Sequence, residues 1–175
     1  MRKVRGGDEA AFAALMERWE LPVKGYLLRM TRNAAEAEDL AQEAFVRVWQ
    51  QRARFRAGAE FRPWLFAIAV NLGRNRLRWW KRRPAVVFDE EAGDGASGGA
   101  AAETALVGRE RADAVRSAVA ALPRDLREAL VLSEYEELSH AELAAALSCT
   151  PKAVESRLYR ARALLRESLK AWIEP

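Results

Sequence analysis

Helix caps and helix starters recur along almost the whole of this chain, and no segment alternates in the way a strand does. Asp8, Asn33, Ser139 and Thr150 each stand just before a run with helical apolar periodicity. Pro63, Pro123 and Pro151 stand where first helical turns begin. There is no alternating β-branched run, and no Asn-Gly or Asp-Gly turn lies between apolar segments. The fold class these signals predict is all-α.

One stretch interrupts the pattern. Residues 93–102, reading Gly-Asp-Gly-Ala-Ser-Gly-Gly-Ala-Ala-Ala, are small, Gly-rich and flanked by acids. They predict a flexible acidic linker over 84–106 between two small helical domains, 1–83 and 107–175. Within the first domain, Asp8 caps a helix that Pro22 breaks or kinks before it continues through Leu27, Leu28 and Met30. Asn33 and Glu36 have capping-box spacing and open a helix to about Gln51. A loop from Arg54 to Glu60, with Gly58 near its centre, precedes a long helix with Pro63 in its first turn, and Pro84 stops that helix after Arg83. In the second domain helices are expected over about 107–121, from Pro123 to near Glu134, from a Ser139–Glu142 capping box to Leu147, and over 151–171.

Half of the residues are apolar, enough to bury a core, yet no apolar run approaches the roughly 18 residues of a membrane span. The first residues are basic with no apolar stretch behind them, so no secretory signal is expected. A lone cysteine, Cys149, and a lone histidine, His140, exclude an internal disulfide and the usual zinc ligand sets. The expectation is a cytoplasmic protein without membrane insertion, metal or cofactor. No nucleophile–base pair or acidic metal cluster suggests an enzyme.

Charge is distributed unevenly. Residues 51–83 carry Arg52, Arg54, Arg56, Arg62, Arg74, Arg76, Arg78, Lys81, Arg82 and Arg83 against the single acid Glu60. Residues 84–106 then carry Asp89, Glu90, Glu91, Asp94 and Glu103 with no base. A basic block this dense suits contact with phosphates; a solvated helix face is the plainer alternative.

Near the C-terminus, two short helices joined at Ser148-Cys149-Thr150 give a helix-turn-helix pattern, whose second helix enters the major groove. Projected at 100° per residue, Val154, Leu158, Ala161, Leu165 and Leu169 form its apolar stripe. Lys152, Glu155, Ser156, Tyr159 and Arg160 face the other way, with Arg157 and Arg166 towards the edges. This outward face offers hydrogen-bonding groups to base edges, and its arginines suit flanking phosphates. An ordinary helical hairpin with a charged outer face is the alternative. Cys149, inside the turn, reads as a small packing residue.

The sequence of this motif, Leu138-Ser139-His140-Ala141-Glu142-Leu143-Ala144-Ala145-Ala146-Leu147 followed by Ala153-Val154-Glu155-Ser156-Arg157-Leu158-Tyr159-Arg160-Ala161-Arg162, resembles region 4 of sigma factors of the extracytoplasmic-function group. The resemblance implies a domain that reads the upstream (−35) promoter element through Lys152, Glu155, Ser156, Arg157, Tyr159 and Arg160. Two positions depart from the family pattern: Glu155 stands where many members carry Lys or Arg, and Ser148 replaces the Gly common at the turn.

In the N-terminal half, residues 36–50 put Ala37, Leu40, Ala44 and Val48 on one stripe and Asp39, Gln42, Glu43 and Val46 on another face, with Phe45 and Trp49 between. A packed helix with solvated acids would read the same way. The segment also resembles region 2.2 of the same family, which implies docking of Asp39, Gln42, Glu43 and Val46 on the clamp coiled-coil of core RNA polymerase. An acidic-polar rim around an apolar centre suits a partner helix pair.

Residues 55–83 combine aromatic rings, amides and a basic helix end. Aromatic faces stack unpaired bases, worth roughly 1–3 kcal/mol each, while cations hold the backbone. Trp64, Phe66 and Ile68 read as core; Trp79 and Trp80 lie among cations and cannot face the same side. The stretch resembles regions 2.3 and 2.4, which recognise and melt the −10 element. By that resemblance the loop from Phe55 through Arg56 to Phe61 cradles a flipped base. Asn71, Arg74, Asn75 and Arg78 line the DNA face of the next helix, continued by Lys81 and Arg82. The family further implies an anti-sigma factor as a partner, beside core polymerase and promoter DNA. The function implied is that of an alternative sigma factor. The rival is a helix-turn-helix regulator acting on duplex operator DNA without polymerase. It leaves 36–50 and 55–83 unexplained, and dimerisation heptads are absent.

Overall fold

In a computed structural model that describes residues 1–83 and 102–173, every regular element is helical, and no strand occurs among the described residues. A short helix α1 (Arg2–Arg5) buries Val4. Asp8 then caps α2 (Glu9–Thr31), its Oδ1 accepting from the Ala11 N–H at 2.8 Å. Pro22 lies inside α2 and does not break it. A proline removes one helical hydrogen bond. The residues that follow it, Val23, Tyr26, Leu27 and Met30, are all buried, and their packing holds the helix together through that defect.

Asn33 caps α3 (Ala34–Gln50), its Oδ1 accepting from the Glu36 N–H at 2.9 Å. The expected capping box is only half made. Glu36 turns its carboxylate to Arg76, on α4 (Phe61–Lys81), rather than back to the cap. A 3₁₀ turn at Arg52–Arg54 leads into the loop, where Gly58 takes a φ of 81°. Helix α4 ends at Lys81, two residues before the expected stop; Pro84 and the rest of the segment to residue 101 lie outside the described residues.

The second half begins with α5 (Ala102–Ala121), which starts five residues ahead of the expected position 107. Of the expected tether 84–106, residues 102–106 are therefore helical, and residues 84–101 lie outside the described residues. Then come α6 (Arg124–Glu134), α7 (His140–Leu147) and α8 (Pro151–Ser168). Helix α8 stops three residues short of the expected 171, and a separate turn α9 (Lys170–Ile173) follows. At the α7–α8 corner Ser148 adopts a left-handed conformation (φ 54°, ψ 51°), and Thr150 Oγ1 accepts from the Ala153 N–H at 3.2 Å.

The N-terminal helices pack as α2 and α4 against α3, and the C-terminal ones as α6 and α7 against α8. The two groups also meet, with α7 lying on α4 and α6 touching α2. Leu143 and Leu147 of α7 belong to the same buried cluster as Leu65 and Phe66 of α4. Each such side chain contributes roughly 1.5–3 kcal/mol by leaving water.

Candidate nucleic-acid and polymerase interfaces

Helix α3 presents its outer face as the sequence pattern predicts. Ala37, Leu40, Ala44 and Val48 are buried, while Asp39 and Gln42 are exposed and Val46 is 52% exposed. Glu43 is half-buried and accepts from Arg47 Nη2 at 2.6 Å, one turn along the helix. Beside Val46 lies a groove that the sequence pattern does not announce. Phe12 and Met16 of α2 form one wall, and Phe45 and Trp49 of α3 the other. Phe12 and Trp49 meet across it in a tilted contact, with centroids 5.0 Å apart. The four-residue spacing of Phe12 and Met16 is the only local hint of this wall. Together these residues make an apolar strip edged by the Glu9 carboxylate and the amides of Gln42 and Gln50. Nearby, Glu38 is held below the ordinary carboxylate range, first by Lys24 and then by Gln42, which donates from Nε2 at 3.3 Å.

In the loop before α4, expected as a base cradle, the aromatic rings pack inward. Phe55 is only 6% exposed and packs edge-on against Trp64 at 5.1 Å. Phe61, half-buried, lies 6.1 Å from Trp64 and 6.2 Å from Trp19. These rings brace the start of α4 against α2, so Phe55 has no open face for a base to stack on. Arg56 is exposed at the loop tip. Further along α4, Asn71, Asn75 and Arg78 are exposed, as are Lys81 and Arg82 beyond them. Arg78 donates from Nη2 to the Asn75 side-chain Oδ1. Trp80 is buried, whereas Trp79 is 38% exposed with the Arg83 guanidinium 5.0 Å above its ring. The two tryptophans thus diverge, and Trp79 is the ring left available at the cationic end.

Arg74 shares the α4 face but is not free. Its Nε and Nη2 donate to the Glu128 carboxylate of α6 at 3.0 and 2.7 Å. This hydrogen bonding raises the Arg74 pKa against the opposing effect of burial. No pattern within either helix points to this contact.

On α8, Lys152, Glu155, Ser156, Tyr159 and Arg160 are all exposed, opposite the buried Val154, Leu158 and Ala161. Tyr159, at 76% exposed, projects furthest among the aromatic rings of this surface. Ser156 Oγ donates to the Lys152 carbonyl at 3.0 Å, leaving its lone pairs outward. Arg157 is turned towards the brace of the motif: its Nη1 donates to Cys149 Sγ at 3.5 Å, and its Nε is 3.8 Å from Asp125. Glu155 lies 4.0 Å from His140 at the start of α7.

The fold and its surfaces define a two-part helical protein, with a helix-turn-helix at one end and a cationic, amide-bearing helix beside an exposed acidic face at the other. The sigma-70 region 2 family model matches residues 15–83, and the sigma-70 region 4 model matches residues 112–165. RNA polymerase sigma-H factor of Pseudomonas aeruginosa is 34% identical, over 97% of this chain and 92% of its own length. The extracytoplasmic-function sigma factor SigW of Bacillus subtilis is 32% identical over 97% and 95% of the two chains. The corresponding sigma-E factor of Escherichia coli is 34% identical over 93% and 88%. Among solved structures, CnrH in complex with the cytosolic domain of CnrY superposes with a TM-score of 0.73 at 27% identity, covering 97% of this chain and 94% of that one. The chain belongs to the sigma-70 family of RNA polymerase sigma factors, in its extracytoplasmic-function group. Among the described residues no helix is long and apolar enough to cross a membrane.

Proposed function

We propose that this chain is an alternative sigma factor that binds core RNA polymerase, directs it to promoters and holds the melted −10 strand during initiation. The observation that carries the reading is the order of exposed faces along one chain: the acidic–apolar face of α3, the amide and arginine face of α4, then the outward face of α8. Asp39, Gln42, Glu43 and Val46, together with the groove under Phe12 and Met16, dock on a helical element of the polymerase. An apolar centre with a charged rim is how such an interface holds a partner helix.

Asn71, Arg74, Asn75, Arg78, Lys81 and Arg82 meet the −10 strand, with Arg56 and Trp79 at the two ends of that face. Phe55 and Phe61 act by fixing the loop rather than by stacking. Lys152, Glu155, Ser156, Tyr159 and Arg160 read the −35 duplex, and Arg157 braces the reading helix. No bond is made or broken by the protein; it works by binding, in the cytoplasm where polymerase is found. Each module alone binds weakly, and attachment to polymerase raises the effective concentration of both. The CnrH structure contains the cytosolic domain of CnrY, and an anti-sigma partner, which the family resemblance implies, suits this chain as well.

The test is a mixing experiment with purified core polymerase, followed by size exclusion and transcription from a promoter library. Co-elution with start sites that depend on the chain supports the proposal. Failure to co-elute with a matched core, alongside tight binding of duplex DNA by the chain alone, overturns it in favour of a conventional regulator.

A further inference from the structure

Arg74 stands in the middle of the α4 face assigned to the −10 strand, between the exposed Asn71, Asn75 and Arg78, yet its guanidinium points to the other module. Glu128, its partner, is 1% exposed and accepts both prongs of the fork. Arg124 adds a second cation at 3.7 Å from the same carboxylate. Two more arginines of the N-terminal helices are engaged across this boundary. Arg62 donates to the Glu136 carbonyl, and the Arg29 guanidinium lies 3.9 Å from the Tyr135 ring centroid. The exposed face of α8 takes no part in any of these contacts.

This closed arrangement conflicts with simultaneous promoter reading. A chain of this length folded as one body has a radius of gyration of about 16 Å, hence a width of about 40 Å. The −10 and −35 elements are about 25 base pairs apart, which at about 3.4 Å per pair is roughly 85 Å along the duplex. Both modules cannot reach their elements while α6 and α7 lie on α2 and α4. Moreover, a guanidinium fork accepts a carboxylate and a phosphate with the same geometry. Glu128 therefore occupies on Arg74 the place a backbone phosphate would take.

We propose that the Arg74–Glu128 pair is a latch: closure of the C-terminal module withdraws Arg74 from the DNA face, and DNA regains Arg74 only when Glu128 releases it. The inference rests on the sigma-factor reading of the α4 face. Closure and promoter binding then compete for one side chain, and the apparent affinity of the free chain for DNA is its intrinsic affinity reduced by the open fraction.

The latch is tested on the full chain with a labelled single-stranded −10 oligonucleotide, read by fluorescence anisotropy, and by small-angle scattering without DNA. Glu128→Gln should tighten oligonucleotide binding about tenfold and enlarge the radius of gyration. In an Arg74→Ala background the same substitution should leave binding unchanged, because the side chain being contested is gone. Should Glu128→Gln misfold by circular dichroism, Glu128→Asp keeps the charge but draws the carboxylate back, and should move both readouts in the same direction by less. Unaltered binding and size in the folded variants would overturn the latch, and so would equal tightening with and without Arg74. A parallel arm with core polymerase separates the two claims. Normal initiation with unaltered oligonucleotide binding sinks the latch alone, whereas absence of initiation by parent and variants sinks the sigma-factor reading.

Discussion

Ser139 and Glu142 cap α7 reciprocally: the Glu142 N–H donates to Ser139 Oγ at 3.3 Å, and the Ser139 N–H donates to Glu142 Oε2 at 2.8 Å. The Ser139 hydroxyl closes the same ring, donating to Oε2 at 2.8 Å. This fixes where the first helix of the helix-turn-helix starts. Burial pushes the Glu142 carboxyl up, but the backbone N–H and hydroxyl of Ser139 outweigh it and hold the group below its ordinary range.

A carboxyl depressed in the folded state adds stability above its unfolded pKa and loses that contribution as pH falls through the folded value. Glu142→Ala should therefore cost about 1 kcal/mol at neutral pH, and the difference from the parent should disappear at acidic pH below the carboxylate range. Urea unfolding at several pH values checks this. A cost independent of pH would mean that the box contributes through packing instead.

The corner after α7 carries a strain that a substitution can relieve. Ser148 holds a left-handed backbone, which costs a residue with a Cβ about 1–2 kcal/mol relative to glycine. Glycine also loses more freedom on folding, which takes back part of the gain. Ser148→Gly should stabilise by about 0.5–1 kcal/mol, raising the melting temperature by a few degrees. A lower melting temperature would show that the Ser148 side chain does more than fill the turn.

Asp39→Arg combined with Glu43→Arg should abolish co-elution with core polymerase, because two cations replace the acidic rim beside Val46. Neither side chain is buried, and the Glu43–Arg47 pair lies on the surface, so the fold should survive. Circular dichroism and binding of duplex −35 DNA by the C-terminal module should match the parent. Holoenzyme formation by the double variant would remove this face from the polymerase interface.

Arg160 is exposed on α8 with Tyr159 beside it. Arg160→Ala should lower upstream-element recognition by roughly tenfold, within the 1–3 kcal/mol that one good base contact is worth. Core binding should remain unchanged. Competition transcription between promoters with intact and scrambled −35 elements measures the effect. An unaltered preference would assign base reading to the neighbouring side chains.

Much of this fold was legible because helix caps and starting prolines are local signals. Asp8, Asn33, Ser139 and Thr150 all cap where their sequence spacing places them. The departures arise where distant residues decide. Glu36 was expected to complete a capping box, but Arg76, 40 residues away, takes its carboxylate. Of the break or kink expected at Pro22, the break does not occur, because buried neighbours hold α2 continuous through it. Helix α5 starts five residues before the expected 107: Ala102 and Ala105 continue the alanines of the stretch before them, yet alanine is also the strongest helix former. At the site, the exposed faces of α3 and α8 followed from periodicity. The burial of Phe55 did not, since an aromatic residue in a polar loop carries no local sign of the ring it will meet. Arg74 and Glu128 are 54 residues apart, and nothing in either helix marks them as partners.

The most direct test of the central claim is permanganate footprinting of a supercoiled promoter. Thymines of the −10 element should become reactive only when this chain and core polymerase are both present, and core with the Asp39→Arg, Glu43→Arg variant should leave them unreactive. Reactivity that core polymerase produces alone, or protection of intact duplex by this chain without any polymerase, would contradict the account.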